Sequence, residues 1–124
     1  MSYISLIAIA AGGAIGALTR FFVHRGLTAW HGLEAAWSTL IINAAGSFLL
    51  GIAVSFFMAR EGALSTFIMI GLLGAFTTFS TFAMDAVFLF RDKGLALAAI
   101  YTGFSVGGSI IGFVLGMVLG KAVS

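Results

Sequence analysis

The chain has 124 residues, of which 61% are hydrophobic and 8% charged, and its mean hydropathy of +1.19 excludes a soluble globular domain. The six basic residues are scattered at segment ends, so the pI near 9.5 comes without the basic face that nucleic-acid binding needs. Cysteine is absent, which excludes disulfides, thiolate metal sites and cysteine nucleophiles. Four apolar runs of bilayer-spanning length, roughly 2–19, 36–59, 64–90 and 95–120, predict an all-α integral membrane protein, a single unit of four transmembrane helices over residues 1–124.

The first run has no basic leader and passes straight into Gly12-Gly13-Ala14-Ile15-Gly16, so it is read as a retained helix rather than a cleaved signal. Gly12 and Gly16, four apart, let two helix backbones approach closely, and that face is expected to meet protein. Arg20 ends the run, and two readings stand: a snorkelling interfacial anchor, or a positive charge at the mouth of an anion path. The connector 26–35 holds Trp30, His31 and Glu34, a mix suited to the headgroup zone. His24 and His31 have no acidic or cysteine partner nearby and are read as interfacial rather than zinc-binding.

In the second run Thr39 and Asn43 lie at i and i+4 and project from one face. An Asn at membrane depth needs its amide bonded, so it either staples two helices or lines a wet path. Arg60-Glu61-Gly62 makes a short turn into the third run. There the segment 71–82 sets Thr77, Thr78, Ser80 and Thr81 among Phe76, Phe79 and Phe82. Such hydroxyl residues compete for backbone hydrogen bonds, which predicts a third helix broken near its centre, between Gly74 and Ser80. The alternative is an unbroken Phe-rich helix whose hydroxyls bond back to the preceding turn. Asp85, the one acid inside a predicted span, is either an interfacial group or a working carboxylate.

On a helical wheel of the fourth run, Tyr101, Ser105 and Ser109 share a face with Gly108, Gly112, Gly116 and Gly120. Ile100, Phe104, Ile110, Ile111, Val114, Leu115 and Val118 occupy the other, as lipid contact requires. The glycines predict close packing against another helix, and the hydroxyl ladder exceeds what packing demands. Across all four runs the polar groups at hydrocarbon depth are almost all neutral donors. Together with phenyl edges, which are the positive end of the ring quadrupole, and with a nearby Arg, they suit a small anion better than a cation. Four short helices enclose too little to form a pore alone, so a dimer or larger assembly is expected. One end carries Arg20, Arg25, Arg91 and Lys93 and the other Arg60 and Lys121, a bias weak enough for insertion both ways up.

Three motifs resemble those of the Fluc (CrcB) family of fluoride channels: 12–21 (GGAIGALTRF), 39–48 (TLIINAAGSF) and 74–82 (GAFTTFSTF). The resemblance covers essentially the whole chain. It implies an antiparallel dual-topology homodimer in the bacterial inner membrane, with two pores that passively release cytoplasmic fluoride and no enzymatic activity. It implies pore-lining roles for Phe79 and Phe82, a pore asparagine at Asn43, a polar track at Tyr101, Ser105 and Ser109, and a vestibule charge at Arg20. Thr39, Ser80 and Thr81 join the expected fluoride path. The family also implies a structural sodium ion at the dimer centre, held by backbone carbonyls at the positions of Gly74 and Thr77; hard main-chain oxygens freed by a helix break suit such a cation. Ala83 departs from the pattern, since the family often has Ser there. A small multidrug exporter is the nearest rival, and it would need an acid in the first run, where this chain has none.

Overall fold

The computed structural model describes residues 1–124. All of its regular structure is helical, and four stretches are long and apolar enough to cross a membrane: Tyr3–Trp30, Ala35–Phe57, Ala63–Lys93 and Leu95–Val123. The protein is a multi-pass membrane protein. Its exterior is apolar, and only 20 of its 124 residues are buried within the protomer.

The first span is α1 (Tyr3–Arg25) followed by π1 (Gly26–Trp30). Ser2 caps it, its side chain accepting from the Ser5 N–H at 3.2 Å. The helix runs on past the expected end at Thr19 and carries Arg20, His24 and Arg25 on its final turns. Hydropathy marks a boundary where polar side chains begin, whereas a helix continues as long as its backbone bonds are met.

The second span is α2 (Ala35–Phe57). The third is built in pieces: α3 (Ala63–Ser65), the wider-wound π2 (Thr66–Leu73), α4 (Gly74–Phe76) and α5 (Phe79–Lys93). Between α4 and α5 the backbone is extended at Thr77 (φ −80°, ψ 156°) and Thr78 (φ −149°, ψ 117°). Gly94, at φ 97°, separates α5 from α6 (Leu95–Val123), a backbone conformation that only glycine takes at little cost.

Two glycine seams hold the spans together. On α1, a Cβ at Gly12 or Gly16 would run into the Phe67 and Leu72 main chain of π2, and Gly71 meets α1 in return. The expected protein-facing role of Gly12 and Gly16 is met here. The more extensive seam joins α2 to α6: Gly116 lies against the Phe48 carbonyl, Gly112 against that of Ala44, and Gly51 against that of Phe113. Ser55 fastens it with a hydrogen bond to the Met117 carbonyl at 3.0 Å. Opposite this face Ile100, Phe104, Ile110 and Val118 are exposed, matching the lipid-facing side of the wheel. Such small-residue contacts gain dispersion without needing water to drive them.

Candidate functional site

Thr78 is where the polar groups converge. It is buried, and the second span reaches it through Asn43, whose Nδ2 donates to the Thr78 carbonyl at 2.9 Å while Oδ1 accepts the Thr78 N–H at 2.7 Å. One side chain satisfies both main-chain groups of Thr78. The Thr78 hydroxyl starts α5, accepting the Thr81 N–H at 3.3 Å and donating to Thr81 Oγ1 at 3.1 Å, the action of an N-cap. Ser80 Oγ lies 3.3 Å from the same hydroxyl. Thr77 instead bonds back to the Leu73 carbonyl at 3.1 Å, so one of the four hydroxyls behaves as the unbroken-helix alternative supposed.

Two clefts open on either side of Thr78. The first, about 270 Å³, is lined by Asn43, Phe79, Phe82, Ser105 and Ser109, together with Ser47, Thr77 and two aliphatic side chains, Val106 and Ile110. Phe79 projects 77% exposed, whereas Phe82 is 9% exposed; their ring centroids are 5.3 Å apart in a tilted arrangement. Ser105 Oγ is buried on this cleft's wall and has no hydrogen-bond partner in the protomer. A buried hydroxyl left unpaired is costly, and this one sits within the wall, beside the cleft. Gly46 lets the wall close, since a Cβ there would strike the Thr77 methyl.

The second cleft, about 240 Å³, is lined by Arg20, Thr39, Thr81 and Thr78, with His24, Phe21, Ala17 and Ile42. Arg20 has no carboxylate partner in the protomer. Thr39 bonds back to the Ala35 carbonyl at 3.1 Å and keeps its lone pairs and methyl near the cleft wall.

Tyr101 lines neither cleft. It is fully buried, packed between Phe82 (centroids 5.7 Å) and Trp37 (5.8 Å, edge to face), and its hydroxyl donates to Asp85 Oδ2 at 3.4 Å. Asp85 is itself buried within the protomer, on a cleft it shares with the charged groups Glu34, Asp92 and Lys93 at the end of the span. Ser80 is exposed and outside both clefts. Sequence reasoning included Thr78 among the polar groups but did not single it out; a hydroxyl three residues before Thr81 at the start of a helical run was the signal.

Gly74 opens the short helix before the extended pair, and Thr77 is its first member. In a continuous helix the Gly74 carbonyl would accept from Thr78 N–H and the Thr77 carbonyl from Thr81 N–H. Those donors go to Asn43 Oδ1 and Thr78 Oγ1 instead. Both carbonyls are relieved of their usual donors, and no group of three His, Cys, Asp or Glu side chains exists that could hold a metal. Main-chain oxygens without their helical donors are the hard ligand type that an alkali cation takes.

The family model described as "CrcB-like protein, Camphor Resistance (CrcB)" matches residues 7–117. The chain is similar to the "Fluoride-specific ion channel FluC" of Methylococcus capsulatus, with 45% identity over 107 residues, covering 83% of this chain and 46% of that protein. It thus spans about half the length of that relative. It is 42% identical over 106 residues to the protein of the same name from Cereibacter sphaeroides, covering 86% of each. A third such protein, from Nitrobacter winogradskyi, is 39% identical over 104 residues, with 82% of each covered.

Proposed function

The chain belongs to the CrcB-like protein family, and on that premise we propose that it is a passive, fluoride-selective channel that lets cytoplasmic fluoride leave across the inner membrane. The observation that carries this is the first cleft, where the unpartnered Ser105 hydroxyl, the Asn43 amide and the Phe79 and Phe82 rings meet. Hydroxyl and amide donors bond a small anion without a full opposing charge, and phenyl edges favour it weakly enough to permit release. Three relatives named as fluoride-specific channels support the choice of anion.

The path we infer runs through both clefts. Arg20 raises the local anion concentration at its mouth, Thr39 and Thr81 supply hydroxyls around Thr78, and Phe79, Phe82, Asn43, Ser105 and Ser109 line the remainder. Tyr101 serves the path from behind, holding Phe82 and Asp85 in place. The extended backbone at Thr77 and Thr78 acts as a break in the third span, tolerated at membrane depth because it is lodged in protein and beside a wet path.

The working unit is an antiparallel homodimer of oppositely inserted protomers with two pores. Its support is the weak charge bias between the two ends and the exposure of Gly74 and Phe79 on the single protomer. At the centre of that dimer the carbonyls of Gly74 and Thr77 would hold a structural sodium ion, which supplies positive charge to main-chain oxygens that have lost their donors.

Purified protein in liposomes tests the function by efflux. Fluoride should leave rapidly, chloride and a cationic dye should not. Dye export driven by a proton gradient would instead indicate a multidrug transporter, and no flux of any of the three would indicate a structural role. A C-terminal tag found on only one face of the membrane would overturn the dual topology.

A further inference from the structure

Ser38 and His24 form a pair that the path described above does not use. Ser38, on α2, has none of its surface exposed, and its hydroxyl lies 3.0 Å from His24 Nδ1 on α1. That nitrogen is the one hydrogen-bond partner the Ser38 hydroxyl has in the protomer. A buried hydroxyl hydrogen without an acceptor is costly. Ser38 therefore donates to Nδ1, which makes Nδ1 the acceptor of the ring and puts the proton of the neutral imidazole on Nε2.

His24 lines the Arg20 cleft alongside Thr39 and Thr81, and Ser38 does not. With Nδ1 engaged by Ser38, Nε2–H is the donor the ring has left to give. We propose that His24 Nε2–H is a further hydrogen-bond donor to the permeating anion in the Arg20 cleft, with Ser38 as the positioning residue that fixes ring and tautomer, a role that rests on the fluoride reading above. The chemistry is that of the rest of the path: a neutral N–H donor beside a single charge, placed where a desolvating fluoride needs a replacement for lost water. Without the Ser38 bond the proton is free to sit on Nδ1, and a bare Nε2 lone pair would then face the anion.

Fluoride current is measured in bilayers for the parent, His24→Leu, His24→Gln and Ser38→Ala, with assembly checked by size-exclusion. His24→Leu, which fills space without a donor, should lower current about tenfold, the factor of one hydrogen bond to a charged group. His24→Gln keeps an N–H donor and should stay within about threefold of the parent. Ser38→Ala should fall between them. Independently of activity, the imidazole ¹⁵N spectrum in a His31→Asn background should show His24 protonated on Nε2, with that resonance moving on fluoride addition and not on chloride addition. In Ser38→Ala the two tautomers should mix. A His24→Leu channel that conducts like the parent, an Nδ1-protonated ring, or a resonance indifferent to fluoride would overturn the proposal. A parent that carries no fluoride current at all would sink the channel reading itself, which separates the two failures.

Discussion

Asn43 and Thr78, 35 residues apart in sequence, exchange two hydrogen bonds, amide to carbonyl at 2.9 Å and main-chain N–H to amide oxygen at 2.7 Å. Asn43 thereby does for Thr78 what the next strand of a sheet would do. It leaves the extended backbone with no unmet polar group on that side.

Replacing Asn43 by Leu should therefore strand both Thr78 groups at about 1–3 kcal/mol each, softened where the membrane-embedded alternative finds other partners. Asn43→Asp removes the donor and adds a charge that opposes an anion. Both variants should lose fluoride flux, and Leu should unfold at lower temperature in detergent. Parent-like melting and flux for Asn43→Leu would show that the tie carries no weight.

Ser105→Ala tests the unpaired hydroxyl. Because Ser105 Oγ has no partner in the protomer, deleting it removes a desolvation penalty and should leave thermal stability equal or higher. Fluoride efflux should nonetheless fall. Efflux unchanged from the parent would remove the serine from the path.

The two phenylalanines should separate by burial. Phe79, largely exposed on the protomer, can become Ile with a stability change of about 0.5 kcal/mol or less. Phe82 stacks on Tyr101 at 5.7 Å, so Phe82→Ile should cost about 0.5–1.5 kcal/mol in lost ring contact alone. Both should impair flux, since Ile fills volume but offers no positive ring edge. Ile variants that conduct like the parent would reduce the rings to packing residues.

Glycine substitutions on α2 and α6 should divide in the same way. Gly116→Ala pushes a methyl into the Phe48 carbonyl of α2, and Gly51→Ala pushes one into the Phe113 carbonyl of α6; each should cost about 1–3 kcal/mol by overpacking. Gly103 and Gly107 face open space, so Ala there should be neutral or mildly stabilising. Melting curves of the four single variants are the check.

Gly74→Leu and Thr77→Val test the proposed sodium site. A Cβ at Gly74 would sit 3.6 Å from the Met69 carbonyl, an ordinary contact, so nothing within the protomer forbids a side chain there. The parent should melt higher in sodium than in a bulky organic cation, by an amount that grows with sodium concentration. Thr77→Val, which keeps the carbonyl, should retain that dependence, and Gly74→Leu should lose it. A parent whose melting ignores sodium would end the metal assignment.

Much of this was legible in the residues because the membrane leaves few options. Hydropathy located four spans, and the wheel of the fourth run separated its glycine face from its lipid face. The same wheel put Tyr101 in line with Ser105 and Ser109, yet Tyr101 is folded in between Trp37 and Phe82 and lines neither of the two clefts. Angle about a helix axis does not say which neighbour stands at a given height. The π-wound stretch Thr66–Leu73 had no sequence signal; it lies where the Gly12 and Gly16 face of α1 presses on the third span, a property of the pair. Asn43 announced that it needed partners without naming Thr78. His24, read as an interfacial residue, is held by Ser38 from a helix whose distance along the chain hid the contact.

With only 20 of 124 residues buried in the protomer, the molecule has almost no interior to expose. Heating or chemical denaturant would part its helices without wetting much new apolar surface, because lipid or detergent already covers it. The heat-capacity change of that separation should accordingly be far below the value of about 12–15 cal/mol/K per residue typical of water-soluble domains, and urea should be a feeble reagent against it. Bilayer thickness and acyl-chain packing, which set how firmly the apolar exteriors are gripped, become the solvent variables that govern its endurance.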